Sequence, residues 1–398
     1  MKKIISKLCA RMKEDNRLRV KKSYYTFSRE YPAGNIPIKR RKNRNRYSGI
    51  LKSVLSCVLC FLLICLSFFI LSLGLEISKS NPDPTDTSPS EIGESLLESE
   101  GIRAIYMPYE YLGNTKQLKK FVREAEKKNC NSVVITFKTI DGKLNYSSSL
   151  EYAIKGRCSS FYNDTVRGAV DIFKENDLSV IAKLYCFSDE AVAVSSPELA
   201  VKYMDTDINW LDGSDENGGK PWLDPTLTEN RSYITDIMKE LYALGIKGFI
   251  LENCCFPDSN NVGTATFFES ETPKSRNDSL RMLFTNTKEA LPKDAFILMS
   301  YTATDAVTGN EALYSGSLAD ADYHGFTADL SVREPGYTVD KKSKFSSMLS
   351  LLALIKASNP DKEFIPVISI DEYSSKYISA ITKAGYTNYI IYAADGEY

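Results

Sequence analysis

The 398-residue sequence contains a single histidine, His324. A zinc site built from several histidines is therefore excluded, and Ser-His-Asp or Cys-His catalysis would have to use this one residue. The sequence also lacks the G-x-S-x-G pattern that carries the nucleophile of many serine hydrolases. Neither G-x-G-x-x-G nor G-x-x-x-x-G-K occurs, which disfavours the common nucleotide-binding classes. No cofactor is predicted.

The nine cysteines do not form a metal site either, because their spacings match no metal-binding pattern. Cys9 lies near the N-terminus, and Cys57, Cys60 and Cys65 lie in a long apolar run. Five remain in the C-terminal part of the chain: Cys130, Cys158, Cys186, Cys254 and Cys255. At most two disulfides can form among these five, and a domain of this size requires none. An all-carboxylate Ca²⁺ or Mg²⁺ site has no spacing signature here.

Charged residues are absent from Val54 to Leu75, a run of 22 mostly apolar residues. As a helix, a run of this length spans the hydrocarbon core of a bilayer, about 30 Å. The apolar part of a cleaved signal peptide is shorter, roughly 7–15 residues, and usually lies close to the N-terminus. We therefore predict an uncleaved signal-anchor helix within residues 50–77.

Charge is distributed unevenly along the chain. Residues 1–52 contain 17 Lys/Arg and 3 Asp/Glu, a net charge of +14, whereas the whole chain carries −1. Because positive flanks stay in the cytoplasm, we predict a disordered basic arm inside the cell at 1–49, with the C-terminal part outside. The cluster around Arg40 and Arg41 also suits attraction to anionic lipid. It contains no recognisable DNA-binding motif, so we expect no nucleic-acid partner.

Residues 78–100 are rich in Pro, Ser, Thr and acidic residues, which predicts an extended linker. Across 101–398, short apolar runs alternate with segments that carry a helical apolar stripe. The predicted strands are 102–107, 132–137, 178–185, 248–251, 295–300, 322–326, 364–370 and 389–392. The predicted helices are 116–128, 165–176, 230–244, 276–291, 343–358 and 376–383.

Strands that alternate with helices imply right-handed crossovers and a parallel sheet. Eight such units in the 298 residues from 101 to 398 fit a (β/α)8 TIM barrel. An open doubly wound sheet is the main alternative. In a barrel, the functional site is built at the carboxyl ends of the strands.

The residues expected at these strand ends are mostly acidic or aromatic. This combination suits sugars, because carboxylates bind hydroxyl groups and aromatic rings stack on the sugar ring. Glu252 is the strongest candidate, since it follows four apolar residues and is expected at a buried strand end. Burial of a carboxylate costs free energy, so a carboxylate at this position indicates either a function or a structural hydrogen bond. Glycoside hydrolysis uses two carboxyl groups. The candidate partners of Glu252 are Asp305, Asp329 and Asp371.

Several segments resemble a known family. They are Trp222-Leu-Asp-Pro225, the strand and turn from Gly248 to Pro257, the predicted second strand ending at Lys138 with Asp141-Gly142 after it, the first strand up to Tyr106, and Asp322-Tyr323. Together they resemble the bacterial putative glycoside hydrolase domain family, whose barrels are related to the alpha-amylase-like clan. The resemblance covers residues 101–398 and implies a TIM barrel that hydrolyses O-glycosidic bonds. Residues assigned to substrate binding are Tyr106, Lys138, Asp141, Tyr185, Trp222, Asp224, Asn253, Tyr301 and Asp322.

The sequence departs from the family pattern close to the predicted site. Glu252 stands where the family has Asp, Asn253 where it has Tyr, and Cys255 where it has Arg. The resulting prediction is a membrane-anchored extracellular glycoside hydrolase that acts on cell-envelope or external polysaccharide. The alternative is a catalytically degenerate barrel that binds glycan or an envelope partner.

Overall fold

The computed structural model describes residues 96–213, 218–259, 261–268, 273–309, 311–319, 321–330, 344–370 and 374–393. The predicted basic arm, the signal-anchor helix and most of the linker lie outside the described residues. Among the helices that are described, none has the length and apolar character needed to cross a membrane.

Eight parallel strands form a closed barrel. They are β1 Arg103–Met107, β2 Ser132–Lys138, β3 Ser179–Tyr185, β4 Gly248–Glu252, β5 Phe296–Thr302, β6 Gly325–Asp329, β7 Glu363–Ile370 and β8 Tyr389–Ala393. Each strand pairs with its neighbours in the chain, and β1 closes the barrel by pairing with β8. The predicted barrel is confirmed, and the open-sheet alternative is wrong.

Helices follow the strands and cover the outside of the barrel. The longer ones, with one short helix after β5, are α1 Thr115–Lys127, α2 Asn163–Lys174, α3 Thr228–Ala243, α4 Pro273–Ala290, α5 Ala303–Thr308, α6 Lys344–Ser358 and α7 Ser374–Lys383. Shorter helical segments are Leu96–Ser99, Tyr109–Gly113, Glu151–Lys155, Glu190–Ser195, Pro197–Leu199, Val262–Thr264 and Glu311–Tyr314. In α1, Asn114 caps the N-terminus and the predicted apolar stripe is buried.

The strands are apolar on both faces because each face packs in a separate core. One cluster fills the barrel interior and includes Ile181, Ile250 and Leu298. A larger cluster lies between the barrel and its helices and includes Phe249 and Leu251. Burial on both faces is the reason that parallel strands are nearly continuous apolar runs in the sequence.

The amino-terminal end of the barrel is closed by packing and by hydrogen bonds. Leu96 and Leu97, within the predicted linker, pack against the interior cluster. Asn388 joins the first strand region to the last, since its Oδ1 accepts a hydrogen bond from Ile102 N–H at 2.6 Å. Its Nδ2 donates to Glu363 at 2.7 Å. These contacts close the barrel at the amino-terminal ends of its strands.

The sixth strand begins three residues later than predicted. β6 starts at Gly325, which pairs with Leu298 of β5. His324 belongs to the preceding turn, where its Nδ1 accepts a hydrogen bond from Ile297 N–H at 3.1 Å. The shift moves Asp329 to the carboxyl end of the barrel and leaves Asp322 at the amino-terminal end.

Candidate active site

A cleft of about 480 Å³ opens at the carboxyl end of the barrel. Its floor is formed by inward side chains of the strands, and its rim includes Tyr109 and Glu110 from the loop after β1. The position is the one at which TIM-barrel enzymes carry their active sites.

The strand register arranges the floor in two layers, because alternate strands of a (β/α)8 barrel contribute the side chains of each layer. The upper layer consists of Thr136, Glu252, Asp329 and Tyr392, from β2, β4, β6 and β8. The lower layer consists of Tyr106, Lys183, Ser300 and Val367. All of them line the cleft. Glu252 and Asp329 therefore enter the cleft at the same level, from strands separated only by β5.

Glu252 forms an ion pair with Lys183 on the neighbouring strand. Lys183 Nζ lies 2.9 Å from Glu252 Oε2, and the two side chains are 16% and 25% exposed. The ammonium group also lies over the rings of Tyr106 and Tyr185, at 5.5 and 5.0 Å from their centroids. Burial opposes the charge of Lys183, but Tyr106 and Glu252 raise its pKa above the ordinary value. Lys183 is consequently a cation throughout the neutral range.

Sequence reasoning missed Lys183, although the sequence contains a signal for it. Ile181, Lys183 and Tyr185 alternate with residues of the outer core, so they share the inward face of β3. A lysine on the inward face near the carboxyl end of a barrel strand is a candidate site residue on this ground alone.

Tyr106 lies in the lower layer and contacts the ring of Tyr392 edge-on, with centroids 6.3 Å apart. Burial raises the pKa of Tyr106 to about 12, and the charge of Lys183 opposes this rise. Its hydroxyl is therefore neutral at physiological pH and can donate a hydrogen bond. Tyr106 and Tyr392 both line the cleft.

Tyr109 and Glu110 complete the rim on the side of β1. The Glu110 carboxylate raises the pKa of Tyr109 through its charge and through a hydrogen bond. Thr302 also lines the cleft and caps α5 by accepting a hydrogen bond from Asp305 N–H at 3.0 Å. The Asp305 carboxyl itself is buried and is not among the residues that line the cleft. Asp371, the other candidate partner, lies outside the described residues.

Lys138 points away from the cleft because of a β-bulge. The register of β2 against β3 shifts between Thr136 and Lys138, so that Lys138 stands opposite Leu184, a residue of the outer core. Its ammonium group is fully buried and pairs with Asp189 at 2.8 Å. It also donates to the carbonyl oxygens of Tyr185 and Cys186, at 2.7 and 3.1 Å. The structure thus places the Lys138 ammonium group in a buried ion pair outside the cleft, and its contact with substrate stays a prediction.

Asp322 also lies away from the cleft. It precedes β6 at the amino-terminal end of the barrel, where it forms an ion pair with Lys288 at 3.0 Å and accepts a hydrogen bond from Thr285. The hydrogen bond from Lys288 holds the pKa of Asp322 below its ordinary value. Asp322 is therefore on the wrong face of the barrel to contact a ligand in the cleft.

Three further predicted residues hold the loops at the barrel mouth together. Asp224 is buried and accepts hydrogen bonds from Thr226 N–H and from Phe268 N–H, at 2.8 and 2.6 Å. Trp222 donates its indole N–H to Asp212 at 3.0 Å. Asn253 donates to Ser188 Oγ at 3.0 Å. None of the three is among the residues that line the cleft.

The remaining predictions lie around the cleft rather than at its centre. Tyr185 packs against the Lys183 ammonium group from the inward face of β3. Tyr301 lines the cleft, but its ring packs edge-on against Tyr314 and Phe326. Asp141 is half-buried and accepts a hydrogen bond from Thr139. Of the predicted residues, the structure brings Glu252, Asp329, Tyr106 and Tyr301 together at one cleft.

Comparison with solved structures found proteins of low sequence identity. A hypothetical protein from Ruminiclostridium thermocellum is 23% identical, with 49% of this chain and 96% of that chain covered and a TM-score of 0.43. The glycoside hydrolase domain of PelA from Pseudomonas aeruginosa is 11% identical, with 74% and 96% covered and a TM-score of 0.40. The GH20 exo β-N-acetylglucosaminidase from Vibrio harveyi is 10% identical, with 67% and 41% covered and a TM-score of 0.44.

No curated protein matched the sequence. A sequence model of one family matches residues 104–306, which span β1 to the middle of α5 and include Lys183 and Glu252. This match covers just over half of the chain. The chain belongs to the family described as "Putative glycosyl hydrolase domain".

Proposed function

We propose that this protein hydrolyses glycosidic bonds of a polysaccharide at the barrel mouth, with Glu252 and Asp329 as the two carboxyl groups. The observation that carries the proposal is their position in one layer of the cleft floor. Membership of the family adds to it. Two carboxyl groups that enter a cleft from alternate strands can reach opposite sides of one bond.

The surroundings of the two carboxyl groups suggest different roles. The ammonium group of Lys183 contacts Glu252 and stabilises a negative charge there, which suits a nucleophile or a base. We assign the acid role to Asp329, which gives its proton to the glycosidic oxygen as the bond to the anomeric carbon breaks. Glu252 then either attacks the anomeric carbon or removes a proton from the attacking water.

The rest of the cleft suits a carbohydrate. Tyr106, Tyr109 and Tyr392 provide aromatic surface, and Thr136, Ser300 and Thr327 provide hydroxyl groups. Aromatic faces with a few convergent polar groups are the usual lining of a small-molecule site.

We also propose that the domain acts outside the cell, held by the apolar segment 54–75. Support comes from the length of this charge-free run and from the net charge of +14 that precedes it. A domain held in this way would meet cell-envelope or external polysaccharide.

The experiment is product release from a panel of polysaccharides by the full-length chain. We expect Glu252→Gln and Asp329→Asn each to lower the rate by about 10²- to 10⁴-fold, the usual loss when acid–base catalysis is removed. The matched control is Glu124→Gln, which breaks an exposed ion pair with Lys127 on α1 and leaves the cleft intact. Circular dichroism verifies that each variant is folded.

Three outcomes are informative. Equal rates in wild type and both cleft variants contradict the assignment of the two carboxyl groups. Binding of glycan without product release by wild type supports the alternative, a degenerate barrel that binds glycan. A covalent adduct on Glu252 with a fluorinated glycoside identifies a retaining mechanism, whereas direct inversion leaves no adduct.

A further inference from the structure

A third carboxylate lines the cleft and has no part in the proposed hydrolysis. Glu110 lies in the helical segment Tyr109–Gly113, which follows β1 at the carboxyl end of the barrel. Two carboxyl groups suffice for glycoside hydrolysis, and Glu252 and Asp329 are already assigned to that task. Glu110 is exposed, and it forms no ion pair with any residue that the structure describes.

The closed sheet places Glu110 opposite the two proposed catalytic groups. Counted around the barrel, β1 lies three strands from β4, which ends at Glu252, and three strands from β6, which ends at Asp329. The carboxylate that follows β1 therefore stands on the wall of the cleft that faces the side formed by β4 to β6. A sugar chain bound at Glu252 and Asp329 consequently presents its other side to Glu110.

The segment that carries Glu110 is anchored on both sides of this residue. Leu112, in the same helical segment, is buried in the outer core. Tyr111 N–H donates a hydrogen bond to Pro108 O at 3.1 Å, and the Tyr111 ring packs edge-on against Phe121 of α1 with centroids 6.3 Å apart. Because the backbone is held by these contacts, little of its freedom is lost when the carboxylate binds a ligand.

The charge of Glu110 is not balanced by the other groups of the cleft. The charged residues among the described lining are Glu110, Glu252, Asp329 and Lys183. Lys183 lies 2.9 Å from Glu252, so these two charges offset each other. Even when Asp329 is protonated for its role as the acid, the negative charge of Glu110 remains. A carboxylate that shares a cleft with other carboxylates favours the binding of a cation.

We propose that Glu110 binds a protonated amino group, and that the substrate is a polysaccharide of amino sugars whose amino groups are free. This assignment rests on the proposed function, which sets where the sugar chain lies in the cleft. Neutral sugars need no third carboxylate, because Thr136, Ser300 and Thr327 already offer hydroxyl groups as hydrogen-bond partners. A carboxylate forms its strongest hydrogen bonds with charged donors. A polymer of uronic acids would bring like charges together at Glu110 and is disfavoured.

The test compares three β-1,4-linked hexamers that differ in charge: glucosamine with free amino groups, glucose, and glucuronic acid. Binding to the full-length protein in detergent is measured by calorimetry at about pH 5.5, where amino groups are protonated and carboxyl groups are ionised. We expect the glucosamine hexamer to bind about 10-fold more tightly than the glucose hexamer, as for one hydrogen bond to a charged group. The glucuronic acid hexamer should bind more weakly than either. Added salt should reduce these differences.

Variants of Glu110 show whether this residue is the source of the preference. Glu110→Gln should weaken binding of the glucosamine hexamer about 10-fold and leave binding of the glucose hexamer within about two-fold of wild type. Glu110→Lys should reverse the preference in favour of the glucuronic acid hexamer. The matched control is Glu151→Gln, which removes an exposed carboxylate outside the cleft, on the helix Glu151–Lys155, and should change none of these affinities. Circular dichroism verifies that each variant is folded.

Product release, followed by mass spectrometry in the same samples, separates this inference from the proposed hydrolysis. A charge preference that depends on Glu110 but yields no product would support the binding role and contradict hydrolysis. Product from the hexamers at rates that do not depend on their charge would support hydrolysis and overturn the role of Glu110. The inference would also be overturned by equal binding of the three hexamers, by no binding of the glucosamine hexamer, or by a preference that is unchanged in Glu110→Gln.

Discussion

At the scale of single residues, the unusual feature is a lysine paired with the proposed catalytic carboxylate. Lys183 lies in the lower layer of the cleft floor and Glu252 in the layer above, so the ammonium group supports the carboxylate from below. Because the pKa of Lys183 is raised, its charge is fully present below its ordinary pKa and is lost only as the pH rises through the higher folded value. Lys183 therefore keeps its charge throughout the neutral range.

Lys183→Met removes the ammonium group and tests this role. Without it, the Glu252 carboxylate loses the positive charge that lies 2.9 Å away, so kcat should fall by about 10-fold or more. Lys183→Arg preserves the charge and should retain most of the activity. The measurement is kcat and KM for the three proteins, with circular dichroism to verify folding. Equal losses of kcat in Lys183→Met and Lys183→Arg would show that the charge of Lys183 does not support Glu252.

Some positions of the candidate site can be predicted from neighbouring residues in the sequence, whereas others depend on contacts with distant parts of the chain. Glu252 was predictable because it ends a continuous apolar run, and Asp329 because an acidic residue follows an apolar segment near the sixth strand. Lys183 could have been predicted, because inward and outward side chains alternate along β3. Lys138 and Asp224 were not, since their side-chain directions depend on a bulge and on a hydrogen bond from a distant loop. Residue type alone does not distinguish a ligand-binding group from a scaffold group at such positions.

At the scale of secondary-structure elements, the bulge in β2 creates a buried charge pair. Lys138 and Asp189 are both 0% exposed and lie 2.8 Å apart. Asp189 also caps the helix Glu190–Ser195 by accepting a hydrogen bond from Val192 N–H at 2.9 Å. The pair therefore connects the end of β2 with the loop that follows β3.

Lys138→Met should destabilise the domain strongly. It leaves the Asp189 charge buried without a partner, which typically costs about 3–5 kcal/mol and corresponds to a fall in melting temperature of roughly 6–15 °C. Lys138→Met combined with Asp189→Asn should recover part of the loss, because Asn keeps the helix cap and removes the charge. Thermal unfolding followed by circular dichroism measures both.

The control for this prediction is Lys155→Met, which breaks an exposed pair with Glu198 and should change stability by less than about 0.5 kcal/mol. If Lys138 bound substrate instead, Lys138→Met would raise KM and leave the melting temperature almost unchanged. That result would restore the role predicted from the family resemblance.

Most strands and helices could be predicted because their apolar periodicity is set by local burial. The predicted strands agree with β1, β2, β3, β4, β7 and β8 to within one residue at each end. The sixth strand did not agree, because Asp322, Tyr323 and His324 form a turn whose contacts come from β5 and α4 rather than from neighbours in sequence. Strand register is a property of the partner strand, so a single segment contains little information about it.

At the scale of the whole molecule, charge is separated along the chain. Residues 1–52 carry +14 and the remainder carries −15, which together give the net charge of −1. The apolar segment 54–75 separates the two parts of the sequence, and it is the proposed anchor that holds the barrel outside the cell.

We expect the full-length chain to remain in the membrane fraction after alkaline extraction, with residues 101–398 sensitive to protease added outside intact spheroplasts. Leu62→Lys combined with Leu63→Lys should release the chain from the membrane, since each charge near the middle of a spanning helix costs about 2.5–3.5 kcal/mol. Thr85→Lys with Thr87→Lys adds the same charge to the predicted linker and should leave the protein in the membrane. A domain protected from external protease would place the barrel inside the cell and contradict the proposed location.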